Sequence, residues 1–204
     1  MLDHLLVDLI TAFRASFDDA FLQRQAVEER FQVDVFLGDV SFETSYSLPG
    51  EEEPPRVRAD LSIDWPTWSQ TAYRSWSIGE GADELPEVVV EVALRVQRLA
   101  ETPDAATIRS VFPAVGPSLG GEPLSRTSTT VEDVLESEAD GGSGPSRYAV
   151  EAAYEGSMQF EEGHLEHPET LRPLVDPLAR WVASTLVALA DLPLRFLPAE
   201  QPER

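Results

Sequence analysis

Cysteine, lysine and asparagine do not occur anywhere in these 204 residues. The missing cysteine excludes disulfide scaffolds, Cys-ligated zinc, iron–sulfur clusters and thiol catalysis. The missing lysine leaves 15 basic residues, all arginine, against 37 Asp and Glu, for a formal charge of -22. A surface this negative repels phosphate backbones and anionic bilayers, so nucleic-acid binding through basic patches and adsorption to acidic membranes are both excluded as leading functions. Arginine without lysine or asparagine reads as codon bias toward G and C, because the arginines form no cluster suited to bidentate anion contacts. No stretch offers ~18 consecutive uncharged apolar residues for a membrane span. Met1-Leu2-Asp3-His4 lacks the positive start of a signal peptide, and Asp8 interrupts the one apolar run that follows. A soluble, cytoplasmic protein is expected.

Apolar residues make up 42% of the chain, enough for a packed core, and the 16 prolines and 12 glycines supply loops. The length fits one domain with appendages. Residues 1–30 open with Leu2, Leu5, Leu6, Leu9, Phe13, Phe17 and Phe21 at helical spacing, which predicts an amphipathic helix. The period then changes to two. Phe31, Val33, Val35 and Leu37 alternate with Gln32, Asp34 and Phe36, and the phase slips across Gly38 to Val40 and Phe42, which reads as one strand with a β-bulge. Val57 to Ile63, Val88 to Val96 and Tyr148 to Phe160 give three more alternating strands. Residues 101–146 are expected to form a flexible insertion, with a helical piece around Asp104 to Phe112 and a helical turn or two near Val131 to Leu135. A long helix is predicted from Pro168 to Ala190. It is apolar nearly all round, which calls for burial on two sides, one against the sheet and one against a subunit partner. Together these elements predict an α+β fold, a four-stranded antiparallel sheet with helices before and after it, in a single domain over 31–198 followed by a tail over 199–204.

Motifs that carry chemistry are scarce. No nucleophile elbow, P-loop or dinucleotide fingerprint is present. His164 and His167 lie between a strand and a proline-started helix and read as a solvated loop rather than a metal site. With 37 acids, any carboxylate dyad chosen by eye is arbitrary. No catalytic residue, metal or cofactor is expected, and the protein is not expected to be an enzyme. The informative residues are the aromatics. A strand ends near Trp65, and Trp68, Tyr73 and Trp76 follow without a clean period; Trp65, Trp68 and Trp76 serve either as core anchors or as binding anchors.

The order and wording of the strands resemble the SecB family of export chaperones. Phe31-Gln32-Val33 with Asp39-Val40-Ser41-Phe42-Glu43 is similar to the family's first strand. Pro55-Arg56-Val57-Arg58-Ala59-Asp60-Leu61 is similar to the stretch after its proline-bearing crossover. Glu87-Val88-Val89-Val90-Glu91-Val92 and Tyr148-Ala149-Val150-Glu151 look like later strands, and Pro177-Leu178-Ala179-Arg180 and Leu192-Pro193-Leu194 like the C-terminal helix and its close. The resemblance spans about residues 31–100 and 147–198. It does not cover the N-terminal helix, the insertion or the family's long acidic tail.

The resemblance implies an ATP-independent holding chaperone that binds unfolded preproteins in apolar grooves and keeps them competent for export, as a homotetramer built as a dimer of dimers. By position, the client groove would include Phe42, Tyr46, Leu48, Trp65, Trp68 and Trp76, and a face toward the motor protein SecA would include Asp39, Glu43 and Glu151. Three alternatives stand beside it: a SecB-like chaperone dedicated to one partner, such as the antitoxin of a toxin–antitoxin system; a protein that binds a small apolar ligand; and a DNA mimic whose acidic surface binds a basic nucleic-acid-binding protein.

Overall fold

The computed structural model describes residues 4–22, 27–36, 38–48, 54–80, 84–134 and 147–198, with backbone alone for 22, 27–36 and 134. Helix α1 (His4–Leu22) is followed by strands β1 (Val27–Phe36), β2 (Asp39–Ser47) and β3 (Val57–Trp65). Helix α2 (Thr67–Ser77), strand β4 (Glu87–Leu99) and helix α3 (Ala105–Val111) come next. Strands β5 (Ser125–Val134) and β6 (Arg147–Gln159), the short helix α4 (Glu162–Glu166), a 3-10 turn over Pro168–Thr170 and helix α5 (Leu171–Ala190) complete the chain. The strands form one sheet in the order β1-β2-β3-β4-β6-β5, with every neighbouring pair antiparallel. The fold is α+β, as expected, but the sheet has six strands where four were predicted.

Two departures account for the difference. The segment read as one bulged strand is a hairpin: β1 ends at Phe36, β2 begins at Asp39, and Gly38 takes φ +94°, a conformation that suits glycine in a reversal. The phase slip at Gly38 is therefore the chain turning back. The second added strand, β5, lies in the expected insertion and replaces the predicted helical turns. Its sequence, SRTSTTVEDV, is rich in Ser and Thr and reads as loop, yet threonine and valine fit an extended edge strand well. The helical piece beginning near Asp104 is present as α3. Residues 135–146 and 199–204 lie outside the described residues.

One sheet face carries the core. Val57, Ala59, Leu61 and Ile63 of β3, Val88 to Val96 at alternate positions of β4, and Val150, Ala152, Tyr154 and Met158 of β6 are all buried there. Helices α1 and α5 pack against each other and over this face. From α1, Phe13 meets Phe42 edge-on at 5.8 Å, and Phe17 stacks on Tyr46 at 4.6 Å. From α5, Trp181 meets the ring of Tyr154 edge-on at 4.9 Å. On the side of α5 read as a subunit contact, Ala179 and Ala183 are buried within the chain itself, with α1 running alongside. The loop before β5 crosses the end of β6 where Gly156 removes the obstacle: a Cβ there would lie 2.8 Å from the Glu122 carbonyl, which instead accepts from Ser157 N at 3.0 Å.

Candidate functional site

Three places could meet a partner: the uncovered sheet face, the α2 end of the sheet, and the cleft between α1 and α5. The uncovered face follows from strand alternation, since residues paired across antiparallel strands point the same way. Glu43, Asp60, Asp64, Glu91, Glu132, Glu151 and Glu155 share it with Arg58 and Arg95. Both arginines are engaged. Arg58 Nε donates to Asp60 at 2.8 Å and its Nη2 to Ser45 at 3.0 Å, while Ser45 donates to the same carboxylate. Arg95 donates to Glu132 at 2.6 Å and to Glu151 at 3.0 Å. Burial alone lowers the pKa of the Arg95 guanidinium, but hydrogen bonds and charge from Glu132 and Glu151 outweigh this and hold it above its ordinary value. Glu91 has no such partner. Burial, then the charges of Asp64 and Glu155, push its carboxyl above the usual carboxylate range. A shallow depression of about 320 Å³ opens on this face between Glu43, Arg58, Asp60 and Glu91.

Sequence reasoning left the segment containing Trp68 and Trp76 without an element, and it forms α2. The signal was present in Pro66-Thr67, but the cap comes from elsewhere in the fold. Asp39, at the start of β2, accepts from Thr67 N at 2.6 Å and from Thr67 Oγ1 at 2.8 Å and so satisfies the first turn. Inward, α2 buries only Ser69 and Gln70, which are polar and therefore hide its period. Trp65 Nε1 and Glu87 N both donate to Ser69 Oγ, at 3.0 and 2.8 Å, and Gln70 Nε2 reaches the carbonyls of Gly38 and Trp65. Outward, Trp68 is 45% exposed; Ile78, just past the helix, is 69% exposed, and Leu85 before β4 is 42% exposed. Trp76 is half-buried and stacks on Tyr73 at 6.0 Å.

The residues assigned to a client groove therefore separate. Phe42, Tyr46 and Trp65 are core, the first two beneath α1, and Leu48 is half-buried against that core. Trp68, exposed, and Trp76, half-buried, both lie on α2, about two turns apart. The three acids separate as well: Asp39 caps α2, whereas Glu43 and Glu151 lie on the uncovered face.

The third place, a cleft of about 540 Å³ between α1 and α5, is lined by Asp19, Arg172, Asp176, Arg180, Trp181 and Ser184 among others, and its charges are largely paired within it. An apolar cavity under α3, between Leu99, Ile108, Phe112 and Leu192, holds only about 10 Å³, too little for a ligand. Among the described residues no group of three His, Asp or Glu is placed to hold a metal ion. The segment bearing His164 is the helix α4, where His164 Nδ1 accepts from Glu161 N at 3.1 Å as part of a capping box, rather than a loop. Among the described residues no helix is long and apolar enough to cross a membrane. The chain matches no protein-family model, no curated protein and no solved structure at a significant level.

Proposed function

We propose that this chain is a polypeptide-binding protein that holds unfolded segments of other proteins without ATP, in the manner of the SecB family it resembles. The observation that carries the reading is the α2 end of the sheet, where Trp68, Ile78 and Leu85 stand 42–69% exposed while Trp65, Phe13, Phe17, Phe42 and Tyr46 are buried. Large apolar side chains exposed on and beside a helix suit contacts with extended, apolar chain segments. The charge of -22 keeps copies carrying such a surface apart. Because α1 closes the sheet over Phe42 and Tyr46, clients meet α2 rather than the broader groove implied by the resemblance. The uncovered acidic face suits a basic docking partner, which is where the resemblance would put SecA. Binding of U and not N would keep a client unfolded by mass action.

The test is a titration with a permanently unfolded polypeptide and with its folded counterpart, followed by tryptophan fluorescence and by heat. The expected result is binding of the unfolded chain alone, weakened about tenfold by Trp68→Ser. Binding to neither overturns the reading.

A further inference from the structure

The sheet ends on one side at β5, and most of that end is open. Its first residues are covered: Arg126 N donates to Ala114 O at 2.9 Å and Gly116 N to Leu124 O at 2.7 Å, so residues 114–116 run along the outer edge there. From Thr127 to Asp133 no further strand lies outside β5 among the described residues, and Thr127 to Val131 are all exposed. Edge strands are ordinarily blunted by proline, lysine or short length, because their free N–H and C=O groups recruit other chains. β5 bulges at its start, between Arg126 and Ser128, and Glu132 and Asp133 charge its far end, but Ser128 to Val131 between them hold neither proline nor charge, and their threonines and valine favour extended backbone.

The two sides of the edge differ chemically. Toward the core side, Val131 pairs across from Val150 and is 46% exposed. On the uncovered side, Ser128 and Thr130 pair with Ala153 and Glu151. On the uncovered side the described charges near the edge are Glu132, Glu151 and Glu155 against Arg95, which is shared between Glu132 and Glu151, and Arg147, across from Val134; Asp133 pairs with Tyr148 on the core side. Ser128 and Thr130 are short, so a long cationic side chain on a strand added about 5 Å further out can reach over them to these acids.

We propose that the free edge of β5, from Thr127 to Asp133, takes up an extended strand of a basic polypeptide, whose apolar side chains turn toward Val131 and whose alternate arginines or lysines turn toward the acidic face. Main-chain hydrogen bonds supply the affinity and the two-sided alternation supplies the selectivity. The proposal rests on the reading of the chain as a polypeptide binder and names one mode of capture. A second copy is the poorer occupant, since it brings another -22 and its own Glu132 and Asp133 to the same edge.

The experiment uses the full chain and a short synthetic peptide alternating valine with lysine, titrated by calorimetry. Two further versions carry N-methyl groups on one or the other set of alternate residues. Strand addition requires only one set of the peptide's N–H groups, so one methylated version should bind about tenfold more weakly or worse, while the other binds like the parent. Val131→Lys, a surface change, should weaken the parent peptide about tenfold. Equal binding of all three peptides, or binding indifferent to Val131→Lys, overturns the proposal in favour of simple charge attraction. Light scattering that shows a dimer, dissociated by Val131→Lys, also overturns it by placing a second copy on the edge. The unfolded polypeptide of the preceding test separates the two readings. If it binds while the peptide neither binds nor competes, the edge proposal alone fails; if it too is ignored, the holding function fails with it.

Discussion

Glu91 on β4 lies directly across the strand pair from Glu155 on β6, with Asp64 close enough to add to the repulsion. Like charges directly opposed on a sheet destabilise it, and neither Glu91 nor Glu155 is held by a cation among the described residues. The uncovered face thus stores an unfavourable interaction that a cationic partner would relieve.

Replacing Glu91 by Gln is expected to stabilise the fold at neutral pH by roughly 0.2–1 kcal/mol, less in high salt because the site is exposed. The direction follows from linkage. The carboxyl is raised in the folded state, so as pH climbs the unfolded chain ionises first, and the native state loses ground until Glu91 itself has ionised. At acid pH, with Glu91 protonated in both states, wild type and variant should converge. Thermal unfolding across pH 3–7 checks this; a constant difference would show that charge is not the cause.

Arg95 joins β4, β5 and β6 through Glu132 and Glu151. Arg95→Met should cost about 1–3 kcal/mol, since two neighbouring carboxylates lose their common partner. The loss should appear first in β5, as faster amide exchange from Thr127 to Asp133 with little change in β3.

Tyr154 is buried, its hydroxyl donates to the Pro113 carbonyl at 3.0 Å, and burial pushes its pKa up to about 12 despite the nearby charge of Arg126. The neutral phenol is the form the fold favours. Stability contributed by Tyr154 is therefore complete below the unfolded value near 10 and lost as pH rises through the folded value. Ultraviolet titration should show a late-ionising phase that Tyr154→Phe removes, at a cost of about 1 kcal/mol.

Asp104 caps α3, accepting from Ala106 N at 2.8 Å and Thr107 N at 3.0 Å. The Thr107 hydroxyl, and then these amides, hold its carboxyl below the usual range, so its support for α3 is present above the unfolded carboxylate value and is lost as pH falls through the folded one. Protection factors at Ala106 and Thr107, corrected for the intrinsic pH dependence of exchange, should fall on acidification in the wild type and stay level in Asp104→Asn, which keeps the cap without the charge.

Phe17 stacks on Tyr46 and, within α1, on Phe13 at 4.4 Å. Phe17→Ala should cost about 3–5 kcal/mol in chemical denaturation, the range for an emptied aromatic site in a core. A much smaller cost would mean that α1 contributes little to the fold.

Elements with strong alternation or a full helical stripe were legible: α1, β3, β4, β6 and α5 fall where their apolar residues place them. The elements that escaped were those whose inward residues are polar or few. In α2, Ser69 and Gln70 face the core in place of apolar residues; in β5, an edge with both faces wet, no side of the strand needs to be apolar. The groove residues were identified by type alone, so buried Phe42 and Tyr46 could not be told from surface Trp68.

The amino-acid sequence by itself determined the α+β class, the strongly acidic composition and the apolar stripes of α1, β3, β4, β6 and α5, because apolar residues at periods of two and 3.6 are a local property of the chain. Tertiary structure alone decided which aromatics are covered and which acids are paired. Both depend on contacts between residues far apart in sequence, such as Phe13 with Phe42, Asp39 with Thr67 and Arg95 with Glu151, and no spacing along the chain records them.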